Sequence, residues 1–360
     1  MNTGTGERRR WRLAIAGCGG AAFGIHLPLL ATHPAFEVMA VADREVDRAW
    51  EAARRFAVPR FATNVVEALD EADMLLVLTG VHEPLIELAL ETGTHVFTEK
   101  PLSLNAGRTA ELRQQALRAG LLLEVGAMRA YDPALHALLE TVPAGKINGG
   151  VLTKADGTDQ AARAAFLPAG FAPYTFGADP PPSLPAGLDA HRMRVLQVLL
   201  WQGYHQLTTL AVICPELTAL ACVTTPGVGT LHALVRGGDA VFTVIITRAS
   251  TGIYRDEIHL DIGNRSETLA FASPYLTGLP GGGGQQKAGS PHRAFASMWT
   301  GIDVRLRRAS GLPVLGAEPV WQQVGSAELA ERIERLALDL ALLASIPNET
   351  VPLLERRLLA

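Results

Sequence analysis

The chain predicts an α/β fold in two parts: a doubly wound parallel sheet, then an α+β domain with a large, mainly antiparallel open sheet. Three observations predict it. Short apolar runs alternate with helix-patterned segments from Trp11 to Val125, and a glycine-rich turn, Gly17 to Ala22, follows the first run. Beyond Gly145 the apolar runs are instead joined mostly by short turns such as Arg236-Gly237-Gly238-Asp239. Parallel neighbours need crossover connections, whereas antiparallel ones need only turns, so the change of punctuation marks a change of sheet type. At 360 residues the chain is comfortable for two domains. The expected division is a loose polar tail over 1–10, the doubly wound domain over 11–126, the α+β domain over 127–345, and a terminal segment over 346–360.

In order, Trp11–Ala16 reads as a strand, Ala22–Thr32 as a helix apart from Pro28, and Val38–Ala42 as a strand ending at Asp43. Glu45–Phe56 is an amphipathic helix, Arg60–Ala62 a short strand, Asn64–Asp70 a helix and Met74–Leu78 a buried strand. Glu83–Glu91 is helical, His95–Thr98 a strand, Asn105–Ala119 a helix and Leu121–Val125 a strand. The second part offers strands at Ile147–Thr153, Leu217–Val223, Gly229–Val235, Ala240–Thr247, Ile253–Ile262 and Glu267–Phe271. One long helix, roughly Leu188–Val212, interrupts them, and Ala327–Ser345 closes the pattern as a helix. Two segments, Pro168–Gly187 and Leu276–Pro291, carry no periodicity and read as lids or disordered loops.

Composition narrows the function classes. Apolar residues make up 48% and charged ones 19%, which excludes wholesale disorder, and a net charge of -4 without a basic stripe argues against a nucleic-acid partner. Three cysteines, Cys18, Cys214 and Cys222, are too few and too scattered for a disulfide framework or a zinc grip, and no histidine pair suggests a metal. The most apolar later run, Val195–Val223, is broken by Gln, Gly, His, Pro and Glu, so no membrane span is expected and the expected location is cytoplasmic. Arg8-Arg9-Arg10 before an apolar run imitates a twin-arginine signal, and Ile15-Ala16-Gly17-Cys18 imitates a lipoprotein cleavage box. Neither fits, because cutting there would remove the first strand of the sheet.

The turn Gly17-x-Gly19-x-x-Ala22, with Cys18, Gly20 and Ala21 between, is a variant dinucleotide fingerprint in a Rossmann-like sheet. The first glycine permits the tight turn, the second lets backbone approach a pyrophosphate, and small Ala22 lets helix pack on strand. Asp43 ends the second strand where a ribose hydroxyl would lie. Asp43 repels a 2'-phosphate and adjacent Arg44 attracts one, so the cofactor expected is NAD or NADP, with NAD favoured.

His95-Val96-Phe97-Thr98-Glu99-Lys100-Pro101 delivers a Glu-Lys pair into a Pro-terminated turn at a strand's carboxyl end, where open α/β sheets bind ligands. Together AIAGCGGAAFGIHLPLL, VMAVAD, GVHEPLIELALETGTHVFTEKPLSL and VGAMRAYDPAL resemble the glucose-fructose oxidoreductase, inositol dehydrogenase and rhizopine catabolism (Gfo/Idh/MocA) family over residues 11 to 150. The resemblance implies that Lys100 sits beside the nicotinamide and the reacting oxygen, with Glu99 next to it. An ammonium there can stabilise an oxygen gaining negative charge, or help remove a hydroxyl proton in the reverse direction. It places Thr79 and His82 near the cofactor, with helix capping or packing open as the other reading of His82. It also puts Gly126, Arg129, Tyr131, Asp132 and Pro133 in the segment joining the domains, where Arg129 either meets the ligand or makes an interdomain ion pair.

In the long helix, His205 matches a family histidine, but Trp201 stands four residues earlier where the family commonly has an aspartate. Three outcomes stay open: His205 works without its carboxylate, Tyr204 supplies a hydroxyl, or alcohol chemistry is lost. Tyr204 and His205 diverge by about 100° on a helix, so both do not easily face one substrate. Lys154, Asp156 and Asp159 end the first strand of the second part, as substrate contacts or as a solvated turn, while Asp189, His191 and Arg192 open and cap the long helix. The resemblance implies an NAD(P)-dependent oxidoreductase acting on a carbonyl or secondary alcohol of a sugar, cyclitol or related polar ring, with reduction favoured. Imine reduction and a non-catalytic dinucleotide-binding regulator or sensor are the alternatives. A homodimer or homotetramer through the second sheet is the expected assembly.

Overall fold

The computed structural model describes residues 9–142, 146–156, 165–172, 183–248, 254–273, 287–314 and 326–346. Six parallel strands form the first sheet: β1 (Trp11–Ala16), β2 (Phe36–Ala42), β3 (Arg60–Ala62), β4 (Met74–Val77), β5 (His95–Thr98) and β6 (Leu123–Val125), in the order β3-β2-β1-β4-β5-β6. Leu13, Ala14, Ile15 and Ala16 are fully buried, as are the β4 residues Met74–Val77, because helices cover both faces. The strand order reverses between β1 and β4, and their carboxyl ends, Gly17 and Thr79, therefore flank the crevice where such sheets bind ligands.

The turn after β1 opens a helical stretch whose first part, Ala22–His26, is a π-helix that runs into α1 (Leu27–Leu30). Pro28 is tolerated because it falls in the first turn of α1. α2 (Val46–Phe56), α3 (Val65–Ala68), α4 (Glu83–Glu91) and α5 (Ala106–Arg118) complete the crossovers. A 3-10 turn, Met128–Tyr131, and α6 (Pro133–Glu140) lead to the second sheet.

That sheet contains β7 (Ile147–Asp156), β8 (Thr218–Thr224), β9 (Thr230–Gly237), β10 (Ala240–Thr247), β11 (Tyr254–Ile262), β12 (Arg265–Phe271), β13 (Lys287–Gly289) and β14 (Ala344–Ser345). Its order is β13-β12-β11-β7-β10-β9-β8-β14. It is mixed: β7 lies parallel to β10, and the edge strands β13 and β14 pair in parallel, while the other four pairings are antiparallel.

The single helix expected over Leu188–Val212 is two, α7 (Ala190–Trp201) and α8 (Tyr204–Ile213). The amides of Gln202 and Gly203 both reach the Val198 carbonyl, at 3.0 and 3.1 Å, which ends α7. Gly203 is the hinge because any side chain there would run into Ile246 Cδ1 and the Leu199 carbonyl. α9 (Pro291–Ala309) and α6 have no counterpart in the sequence reading, whereas α10 (Ser326–Leu342) matches the closing helix. Both late helices pack on the first sheet. Trp299 of α9 meets Phe36, Phe97 and His26, and Ala327 and Ala330 of α10 join Ile86, Ala89 and Leu112 in one core.

Candidate active site

Gly17 holds φ +96°, and a Cβ there would stand 2.8 Å from the Leu78 backbone carbonyl carbon and oxygen. Only glycine fits that turn. Around Gly19, by contrast, a Cβ meets nothing within 4 Å, so the turn presents backbone to an open cradle. Gly20, Ala21 and Ala22 carry the chain into the helix, and the Phe23 amide already closes on the Gly19 carbonyl at 3.0 Å. Asp43 accepts the Cys18 amide at 2.7 Å and the Glu45 amide at 3.0 Å, which pins the carboxylate to the turn. Burial first, and then the charge of Asp43, push the Cys18 thiol far up, so it remains an uncharged filler. An open glycine cradle at a helix start, with an acid beside it, fits a dinucleotide. Arg44 is exposed next to that acid, and Thr79 donates to the Val81 carbonyl at 2.6 Å across the crevice.

β5 ends at Thr98 and hands Glu99 and Lys100 to a cis peptide bond at Lys100-Pro101. His82 ties this turn down: its ring nitrogens lie 2.8 Å from the Pro101 and Thr79 carbonyls. Burial outweighs those contacts and lowers the ring's pKa, so the imidazole is neutral and donates to one carbonyl at a time. The packing role left open for His82 is thus visible in the geometry. Glu99 contacts His26 at 2.9 Å and accepts the Lys100 amide at 3.1 Å. Burial pushes this carboxyl up, yet the hydrogen bond and charge of His26 and the charge of Lys100 hold it below its ordinary value. Gly126 must be glycine here, since a Cβ would lie 2.9 Å from Glu99 Oε1.

Lys100 Nζ donates to the backbone carbonyl of Trp201 at 3.0 Å. The last carbonyls of a helix have no helical partner and carry its negative dipole end. The break at Gly203 therefore supplies, from backbone, an acceptor at the place where the aspartate side chain is missing. The same break puts Trp201 at the end of α7 and His205 in the first turn of α8. The Tyr204 ring centroid lies 5.7 Å from Nζ, and the residue is fully buried with its hydroxyl unpaired. Burial, reinforced by Glu334 and Glu99, raises the phenol well above its ordinary pKa, so it keeps its proton. His205 is half-buried on the next position of α8.

Arg129 makes a buried ion pair with Asp256 of β11 at 2.8 Å, its guanidinium 3.3 Å from the Phe271 ring centroid. This is the interdomain ion pair left open by the sequence. Lys154 shares the same carboxylate oxygen at 3.2 Å, and Gln206 of α8 donates to the other at 2.9 Å. Burial pushes Asp256 up, but Arg129 and Lys154 more than offset it and hold it low. Lys154 is thus part of a buried charge cluster under α8 and not of a solvated turn. Asp156 ends β7, and Asp159 lies outside the described residues. Asp189 caps α7 through the Arg192 amide at 2.8 Å, as expected, and His191 contacts Thr224 at 3.2 Å.

Two contributors escaped the sequence reading. The Trp201 carbonyl is backbone and leaves no sequence signal. Glu334 of α10 is 1% exposed, accepts the Leu102 amide at 2.8 Å and the Thr109 hydroxyl, and so braces the chain just after Lys100-Pro101. An acid in the buried stripe Ala330, Ile333, Ala337, Ala341 was the available signal. Among the described residues no cluster of His, Cys, Asp and Glu could hold a metal, and no helix is long and apolar enough to cross a membrane.

Residues 11–127 match the Gfo/Idh/MocA family, an oxidoreductase family with an NAD-binding Rossmann fold. Over 156 residues the chain is 34% identical to a dTDP-3,4-didehydro-2,6-dideoxy-alpha-D-glucose 3-reductase of Streptomyces violaceoruber, covering 41% of this chain and 44% of that protein. It is 27% identical over 155 residues to an NAD-dependent scyllo-inositol 2-dehydrogenase of Bacillus subtilis, 42% of this chain and 45% of that one. The matched stretch thus spans less than half of either relative. The fold likeness extends further: a 3-ketoreductase from Actinomadura kijaniata, solved with NADP and TDP-benzene, superposes with a TM-score of 0.62 at 19% identity, covering 94% of this chain and 99% of that one. The glycine cradle backed by an acid and the Glu-Lys-Pro turn after β5 both lie within residues 11–127, the stretch that matches the NAD-binding Rossmann domain of the Gfo/Idh/MocA oxidoreductase family.

Proposed function

We propose that the protein is an NAD(P)-dependent oxidoreductase that transfers hydride between its dinucleotide and a carbonyl or secondary alcohol carbon of a sugar, cyclitol or related polar ring, with reduction the favoured direction. The observation that carries this reading is the placement of Lys100. Its ammonium stands just after β5, at the carboxyl edge of the sheet, where it donates to the Trp201 carbonyl and lies 5.7 Å from the centroid of the buried Tyr204 ring.

The Gly17–Ala22 turn and Asp43 would hold the dinucleotide, with Thr79 lining the opposite edge of the crevice. When bound, its nicotinamide supplies or accepts the hydride. Lys100, oriented by the Trp201 carbonyl, donates a hydrogen bond to the oxygen that gains negative charge and passes it a proton. Tyr204, held protonated, donates a hydrogen bond to that oxygen and does not serve as a base. Oxidation needs a tuned base, and no carboxylate side chain stands at position 201 to tune one, so reduction is the direction favoured. The buried Gln202 Oε1, Tyr204 hydroxyl and Gln206 Oε1 lack protein partners. Buried polar atoms of this kind are satisfied by water or ligand, and a hydroxyl-rich ring supplies such partners.

The test follows cofactor absorbance with a panel of keto-sugars and cyclitols, comparing wild type with Lys100→Ala. Turnover by wild type that falls at least about a hundredfold in the variant supports the reading. Tight dinucleotide binding without turnover of any substrate favours the regulator instead.

A further inference from the structure

Segment 165–172, in the second part of the chain, reaches back onto the first beside the cofactor turn. Phe166 packs against Gly24, where a Cβ would lie 3.0 Å from its ring. Six residues on, the carbonyl of Ala172 accepts Arg48 Nη2 at 2.7 Å, and the Phe171 ring centroid lies 5.5 Å from the same guanidinium. Arg48 stands in the first turn of α2 and is 9% exposed. Its Nε is held at 2.9 Å by Glu45, whose amide is in turn held by Asp43, the acid pinned to the glycine turn. The Arg48 charge is felt at Cys18, inside that turn. A continuous chain of contacts therefore runs from the phosphate cradle to the segment 165–172.

We infer that Arg48 is a cofactor-specificity residue, locked out of use by Glu45 and by the segment 165–172. This rests on the dinucleotide reading of the glycine turn and goes beyond it. A 2'-phosphate on the adenosine ribose brings up to two negative charges to the neighbourhood of Asp43 and needs cations with free donors. Arg44 and Arg48 are the cations nearest in sequence to Asp43, and Glu45 holds Arg48 in an ion pair at 2.9 Å. The fork of Arg48 is already divided between a carboxylate and a carbonyl. In this state the site accepts a ribose hydroxyl and rejects the phosphate. Releasing Arg48 turns a structural arginine into a phosphate clamp, and the second part of the chain thereby sets the choice of cofactor made by the first.

The experiment measures Kd for NADH and NADPH by calorimetry on the full chain, in wild type, Glu45→Ala, Phe171→Ala, Arg48→Ala and the Glu45→Ala, Arg48→Ala double variant. Glu45 is exposed at the start of α2 and makes no capping contact, so its replacement leaves the fold intact. Wild type is expected to prefer NADH. Glu45→Ala and Phe171→Ala are each expected to shift the NADPH to NADH preference by about tenfold toward NADPH, and the double variant to lose that shift. An unchanged ratio in Glu45→Ala, or a shift that survives in the double variant, overturns the inference. Binding of neither dinucleotide by wild type would instead overturn the cofactor reading beneath it.

Discussion

Gly17 and Gly19 stand two residues apart in one turn, and the structure separates their duties. Gly17→Ala forces a side chain onto φ +96° and drives its methyl to 2.8 Å from the Leu78 carbonyl, a backbone group that has little freedom to yield. Holding such a conformation costs about 1–3 kcal/mol, and forcing an extra methyl into a packed site costs about 1–3 kcal/mol more. A loss of about 4 kcal/mol, at roughly 2–4 °C per kcal/mol for a domain-sized unit, lowers the melting midpoint by roughly 10 °C. Gly19→Ala meets nothing within 4 Å and should leave the midpoint within about 1 °C, as an unopposed surface substitution does. Its methyl does, however, enter the space where a diphosphate approaches the backbone. Losing one hydrogen bond to a charged group there costs about 1.5–3 kcal/mol, or about ten- to a hundredfold in Kd for NADH. Differential scanning fluorimetry with and without NADH reads both effects. A Gly17→Ala variant that melts with wild type, or a Gly19→Ala variant that binds NADH with wild-type affinity, would refute the assignment of strain to one glycine and ligand approach to the other.

Two further predictions concern the frame around the site. Burial raises Glu334 from 4.5 to about 8, against its hydrogen bonds from Thr109, Ser103 and Leu102. The folded chain therefore keeps a proton that the unfolded chain releases above pH 4.5, so this carboxyl erodes stability as pH rises from there to about 8. At about 1.4 kcal/mol for each pH unit across that window, the full cost is a few kcal/mol. Glu334→Gln keeps the acceptor for the Leu102 amide without the charge, so its melting midpoint should exceed wild type at pH 9 and match or fall below it at pH 6; the same difference at both pH values would contradict this. On the outer face of the second sheet, Val223, Leu234 and Val241 on adjacent strands are 39%, 40% and 45% exposed. We propose that a second copy of the chain covers this face. Leu234→Glu should then convert a wild-type dimer or tetramer to monomer by sedimentation, and a monomeric wild type would sink the proposal.

The first sheet was legible because parallel strands buried on both faces read as continuous apolar runs, and because the turns that punctuate them need particular residues. Gly17 is there for its backbone and Asp43 for its place at a strand end, so both announce themselves in sequence. The second part was legible as strands but not as a site. Its long helix reads as one apolar stretch, and the need for glycine at the break is set by Ile246, on a strand some forty residues away. That break puts Trp201 and His205 on two helices and leaves the Trp201 carbonyl to accept Lys100 Nζ. Arg129 illustrates the same limit. The resemblance offered a ligand contact or an interdomain ion pair for it, and its partner, Asp256, lies on β11, so only tertiary contact reveals the pair. Glu334 was overlooked because an acid on a buried stripe is visible only once the stripe is known to be buried.

Hydride transfer at Lys100 is the central claim, and one measurement tests it most directly. Purified protein, loaded with NADH or NADPH, is mixed with a panel of keto-sugars and keto-cyclitols, and cofactor oxidation is followed for wild type and Lys100→Ala, with dinucleotide affinity measured in parallel. The account predicts turnover by wild type and a loss of at least about a hundredfold in the variant at nearly unchanged dinucleotide affinity. A variant that turns over as fast as wild type would contradict it.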